Sequence, residues 1–140
     1  MGEIFQAAGA VAEGEAQYKA AKYNAALARK NASYIRGQSI SDAYKSNIEG
    51  RKQIGEMRAS YAASGVTIEG SAFDVLQESA RAAKQDEMNL RYQGERQAQA
   101  VEQGATLTEF EGKMAKTMGY VKAAGHVASG ASKAMTAGVG

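Results

Sequence analysis

Ser64-Gly65-Val66-Thr67-Ile68-Glu69-Gly70-Ser71 is the stretch that interrupts the helical reading in the middle of this chain. Two Gly bracket a run of β-branched residues, the chemistry of a helix C-cap followed by a short extended turn. Ser71 then reads as the N-cap of a second helix, with the Asp74 carboxylate placed to favour the positive end of the helix dipole. Gly65 and Gly70 are expected to take backbone conformations that suit glycine best.

Upstream of this turn, from Ile4 to about residue 62, only scattered Gly interrupt helical composition. The 140 residues contain no Pro, and Ala, Gln, Glu, Lys and Arg are abundant. Pro is the residue most hostile to a helix interior and the abundant residues are good helix formers. Ala8, Ala12, Ala16 and Ala20 recur at spacing four, a smooth stripe that lets another helix come close. Tyr23, Leu27, Tyr34, Tyr44, Ile48, Met57 and Tyr61 continue an imperfect helical period.

Downstream, Phe73, Leu76, Ala80 and Ala83 begin a cleaner stripe that passes through Glu87 to Leu90, Gly94 and Val101. After a one-residue slip, Leu107, Phe110, Met114 and Val121 resume it. The pattern predicts a single elongated domain: a helix over 4–62, a turn over 64–71, a helix over 71–124 and a small-residue basic tail over 125–140. The fold class is all-α, a long antiparallel hairpin of two extended helices that assembles into an oligomer. At 1.5 Å per residue each arm spans roughly 80–90 Å.

The need for partners comes from a thin core. Nearly half of the 44 % apolar fraction is Ala, and the 16 Gly weaken the helices that contain them. An interior Gly costs about 1 kcal/mol relative to Ala, and Ala buries far less than the side chains that bring about 1.5–3 kcal/mol each. The predicted helix-packing residues are Ala8, Ala12, Ala16, Ala20, Phe73, Leu76, Leu90, Val101, Leu107, Phe110, Met114 and Val121.

No catalytic constellation is legible. His126 is the only histidine and has no recognisable partner, and the acidic neighbours Asp86/Glu87 and Glu109/Glu111 point about 100° apart on a helix. There is no Cys, so neither a disulfide framework nor a thiolate metal site is encoded. Phosphate-cradling loops and nucleophile elbows are missing from the sequence, the opening residues do not read as a secretory leader, and no run of about 18 apolar residues occurs. The reading is a non-enzymatic protein with no cofactor, metal or small-molecule substrate.

Charge is nearly balanced at +2 overall, but its distribution is uneven. After Glu111 no acidic residue remains, while Lys113, Lys116, Lys122 and Lys133 follow in an Ala/Gly-rich background. These lysines are candidate contacts for anionic lipid or DNA phosphate. Gly130, Ala134 and Gly138 add small residues at spacing four, which permit close helix packing. A flexible Ala/Gly end is the equal alternative.

Gly55-x-x-Arg58-Ala59, followed by Ala63-x-Gly65-Val66-x-x-x-Gly70-Ser71-x-x-Asp74 and an Ala/Gln/Arg-rich helix, resembles the internal virion proteins, or ejection proteins, of short-tailed bacteriophages. The likeness is to the smallest internal core protein of that set. It covers the turn and its flanks, about a third of the chain, and part of the motif is what any capped hairpin would carry. The resemblance implies a protein packed in the virion interior near the portal, then expelled to the host cell envelope, where it helps form the conduit for genome delivery. It also implies partners: copies of itself, the portal, larger internal core proteins and the host outer membrane, with non-specific DNA contact. Two alternatives stay open: a portal-associated or head–tail virion component that is not ejected, and a membrane-active or secretion-associated bacterial hairpin.

Overall fold

The computed structural model describes residues 2–137, and every regular element among them is helical. Helix α1 runs over Gly2–Ala63 and helix α2 over Ser71–Ala137, and the two pack against each other. The all-α expectation is met; the single chain does not show an oligomer.

The end of α1 is a Schellman motif. The Val66 amide donates to the Tyr61 carbonyl at 3.1 Å and the Gly65 amide to the Ala62 carbonyl at 3.3 Å, satisfying two of the orphan acceptors at the end of the helix. This geometry needs a left-handed residue, and Gly65 takes it with φ of 71°. Gly70 is the second such residue, with φ of 61°. The Asp74 amide donates to the Gly70 carbonyl at 3.1 Å, which makes Gly70 the N-cap of α2 and Ser71 its first helical residue. The expected N-cap was Ser71. The left-handed turn at Gly70 brings the chain into line one residue earlier.

The predicted helix boundary at residue 124 also moves. α2 continues to Ala137, so most of the predicted tail is helix; Gly138 lies outside the described residues. Ser129, Ser132 and Thr136 donate their hydroxyls to carbonyls three or four residues back and keep their polar groups within the helix. With no Pro in the segment, no backbone donor is missing from the helical ladder.

The contacts divide the chain into two compact units: residues 1–30 with 101–140, and residues 31–100. The period of the buried positions differs between them. In the first unit Ala7, Val11, Gly14, Tyr18, Ala21 and Ala25 of α1 turn inward, as do Val101, Ala105, Thr108, Gly112, Ala115 and Gly119 of α2. Their steps alternate between four and three, a seven-residue repeat. In the second unit Ala32, Arg36, Ser39 and Ala43 are followed by Asn47, Gly50 and Ile54, and on α2 Ala72, Leu76, Ser79 and Ala83 by Glu87, Leu90 and Gly94. These steps run four, three, four, an eleven-residue repeat. A seven-residue repeat winds helices left-handed and an eleven-residue repeat right-handed.

Candidate functional site

Small residues make the seam. In the first unit a Cβ built on Gly14 would lie 2.9 Å from the Ala115 carbonyl oxygen and 3.2 Å from Gly119 Cα. One built on Gly119 would lie 2.7 Å from the Ala10 carbonyl oxygen. These neighbours are backbone atoms, so the two helices touch main chain to main chain. Gly112 meets the Ala21 methyl and Tyr18, and Gly130 meets the Glu3 side chain. In the second unit Gly50 meets Ala83, and Gly94 meets Ser39. Gly14 and Gly119, Ala21 and Gly112, Ser39 and Gly94, Gly50 and Ala83 are each equidistant from the point between Val66 and Thr67. The position of the turn therefore sets which residues meet.

This close approach overturns part of the predicted seam. Leu76 is buried, and Leu90 and Val101 are half-buried against α1 as expected. Ala8, Ala12, Ala16 and Ala20 are exposed, because steps of four advance about 40° per turn beyond a straight line and carry the stripe over the outer surface. Phe73, Leu107, Phe110, Met114 and Val121 also face outward, and no slip occurs at residue 107. Large side chains do not fit between backbones in contact, so the seam keeps Ala and Gly and turns the bulky residues out. The buried apolar residues are accordingly Ala7, Ala25, Ala32, Ala43, Ala98, Ala105 and Leu76.

Polar contacts flank the small-residue seam. In the first unit Arg29 donates to both Glu109 carboxylate oxygens, at 2.7 and 3.0 Å. That fork holds the Glu109 carboxyl below its ordinary range, with Lys113 and Lys22 adding to it. Tyr120 donates its hydroxyl to Glu15 at 3.2 Å, and the Lys116 ammonium stands 5.2 Å from the centre of the Tyr18 ring. Lys133 donates to Glu3 at 2.9 Å, which raises its pKa.

The second unit holds the one buried charge among the described residues. Glu87 is 5 % exposed within the seam. Its carboxylate accepts from Lys84 at 2.9 Å, Asn47 at 2.8 Å and Arg91 at 3.0 Å. The Lys84 bond first, then the Asn47 bond, hold its pKa below the usual carboxylate value against the opposing effect of desolvation. Asn47 is the partner from α1, so this polar layer fixes the facing of the two helices. Arg36 and Glu95 form a second fork, at 2.9 and 3.2 Å.

The four candidate lysines do not share one face of α2. At about 100° per residue, Lys113 and Lys116 lie on one side of α2 and Lys122 and Lys133 on the other. Lys116 and Lys133 are engaged with Tyr18 and Glu3, and Lys122 borders a small groove with Glu13 and Gln17. Asp86, Glu87, Glu109 and Glu111 do not converge, and no group of three or more potential metal ligands occurs among the described residues. No described helix is long and apolar enough to cross a membrane. The chain matches no family model, no curated protein and no solved structure.

Sequence reasoning found the turn and the seam residues Leu76, Glu87 and Gly94. It passed over Gly14, Gly112 and Gly119, because glycine carries no hydropathy signal. Their spacing of seven, from Gly112 to Gly119 and across Ala7, Gly14, Ala21 and Ala28, was the available clue. What the arrangement offers is surface: a polar edge along the first unit and a row of outward apolar residues.

Proposed function

We propose that this chain is an internal virion protein of a short-tailed bacteriophage, held near the portal and ejected to help build the conduit through which the genome crosses the host envelope. The reading rests first on the turn motif Gly55-x-x-Arg58-Ala59 and Ala63-x-Gly65-Val66-x-x-x-Gly70-Ser71-x-x-Asp74. The structural observation that supports it is the placement of the bulky apolar side chains. Leu107, Phe110, Met114 and Val121 point outward from a seam of Ala and Gly, so this protein has its best apolar surface available to other chains. Its role is structural and non-enzymatic, without a cofactor or small substrate. Its partners are further copies, the portal and the larger internal core proteins, with lipid or DNA as secondary contacts.

Ease of unfolding supports the ejection step. A chain that travels through a narrow tail must lose its tertiary contacts, and a seam made mostly of Ala offers little apolar area to hold it. The test is quantitative protein analysis of intact and emptied particles. The chain is expected in particles that contain DNA and depleted from those that have released it. Retention in emptied particles would assign it instead to the portal-associated or head–tail structure.

A further inference from the structure

The chain has far more surface than a compact one. Its accessible surface is 10142 Å², whereas a compact monomer of 14.7 kDa retains about 6,900 Å². The excess is several times the roughly 800 Å² that each partner contributes to a stable interface. In the first unit one row of this surface is apolar and continuous. Leu107, Phe110, Met114, Met118 and Val121 step three, four, four and three along α2, with exposures between 48 and 60 %. This spacing keeps all five on one side of the helix, a side that does not carry the Arg29–Glu109 fork.

The row is symmetric about its centre. Leu107 and Val121 are equally far from Met114, and so are Phe110 and Met118. We propose that this row is a two-fold contact through which the chain pairs with a second copy of itself, α2 against α2, antiparallel and centred on Met114. In that arrangement Leu107 meets Val121, Phe110 meets Met118, and Met114 meets its own copy. The charged side chains on the same side are Glu111 and Lys122, which borders a groove beside Met118. An antiparallel pair sets Glu111 against Thr117 and Lys122 against Thr106, while a parallel pair would set each charge against its own copy; charge thus selects the antiparallel register. Met at the centre adapts to its copy, as thioether side chains do in irregular contacts. A patch that faces itself closes on two chains and leaves no open end.

Sedimentation of the full chain is expected to show a dimer, and Met114→Lys to weaken its association by about tenfold or more with helicity unchanged. Because the chain has no Cys, introduced thiols report the register directly. Met114→Cys is expected to cross-link to itself on oxidation. Leu107→Cys is expected to cross-link to Val121→Cys when the two variants are mixed, and far less to its own kind. A monomer at high micromolar concentration overturns the proposal, as does a monomer that binds anionic vesicles. A dimer that survives Met114→Lys, or self-linking of Leu107→Cys as efficient as the mixed pair, also overturns it. This pairing is independent of the role in the particle: retention in emptied particles would leave the dimer standing, and a monomer would leave the ejection reading open to other contacts.

Discussion

Gly14 and Gly119 face each other so closely that a Cβ on Gly14 would lie 3.2 Å from Gly119 Cα, with the Ala115 carbonyl oxygen nearer still at 2.9 Å. A methyl group there has no flexible neighbour to displace. Gly14→Ala or Gly119→Ala is expected to destabilise the chain by about 1–3 kcal/mol through overpacking. Gly104 is also helical, but a Cβ there meets nothing within 4 Å. Gly104→Ala is therefore expected to stabilise by about 0.5–1 kcal/mol through helix propensity. Denaturant titration of the three variants should give opposite signs, and a common sign would show that the seam is misplaced.

The turn has its own sensitivity, set by conformation and not by space. Gly65 has φ of 71°, and a Cβ added there would meet nothing within 4 Å, so a substitution fails through backbone strain alone. Gly65→Val is expected to cost about 1–2 kcal/mol or more, and Gly65→Asn distinctly less, because Asn tolerates the left-handed region. Thermal unfolding of both variants checks the order. Gly104→Val, at an ordinary helical position, is expected to disturb the fold less than Gly65→Val.

Acid should loosen the chain at identifiable places. Glu87 and Glu109 both have pKa values lowered in the folded state, Glu87 chiefly by the Lys84 and Asn47 hydrogen bonds and Glu109 chiefly by Arg29. A depressed carboxyl pKa contributes stability that is fully present above the unfolded value, about 4.3. That stability is lost as pH falls through the lower folded value. Lys133 runs the other way: its raised pKa contributes below the ordinary lysine value of 10.5 and is lost as pH climbs through the folded one. Stability should thus be flat across neutral pH and fall in acid, and Glu87→Gln should lower the neutral plateau while flattening the acid limb. An unchanged acid limb in Glu87→Gln would remove this carboxylate as a source of the acid sensitivity.

Truncation tests how the chain ends are held. Lys133 is paired with Glu3, Gly130 packs on the Glu3 side chain, and Tyr120 bonds Glu15. Deleting residues 120–140 is expected to leave residues 31–100 protected in hydrogen exchange while α1 before Gly14 loses protection. The same deletion is expected to reduce binding to anionic vesicles or virion partners, since it removes Lys122 and Lys133. Full protection of the early residues would show that α1 holds without the end of α2.

How much was legible depends on the kind of signal each residue carries. Two helices follow from composition, from the absence of Pro and from one stretch that cannot be helical. The turn glycines were legible because only a left-handed conformation gives Gly65 and Gly70 a reason to bracket that stretch. Once the turn is fixed, the antiparallel register follows, because residues equidistant from Val66 and Thr67 must meet. The Arg29–Glu109 fork follows only approximately from that rule, since long side chains reach along the helix as well as across it.

The sequence by itself therefore determined the helices, the turn and the register. Only the tertiary structure decided which face of each helix became the seam. α2 carries one stripe through Leu107, Phe110, Met114 and Val121 and a second through Ala105, Gly112, Ala115 and Gly119, both at helical spacing. Hydropathy favours the first stripe. Packing chose the second, because backbone contact between two helices depends on small residues arriving opposite one another, which is a property of the pair and not of either helix alone. The large apolar side chains excluded from that contact are left on the surface, where the expected partners would meet them.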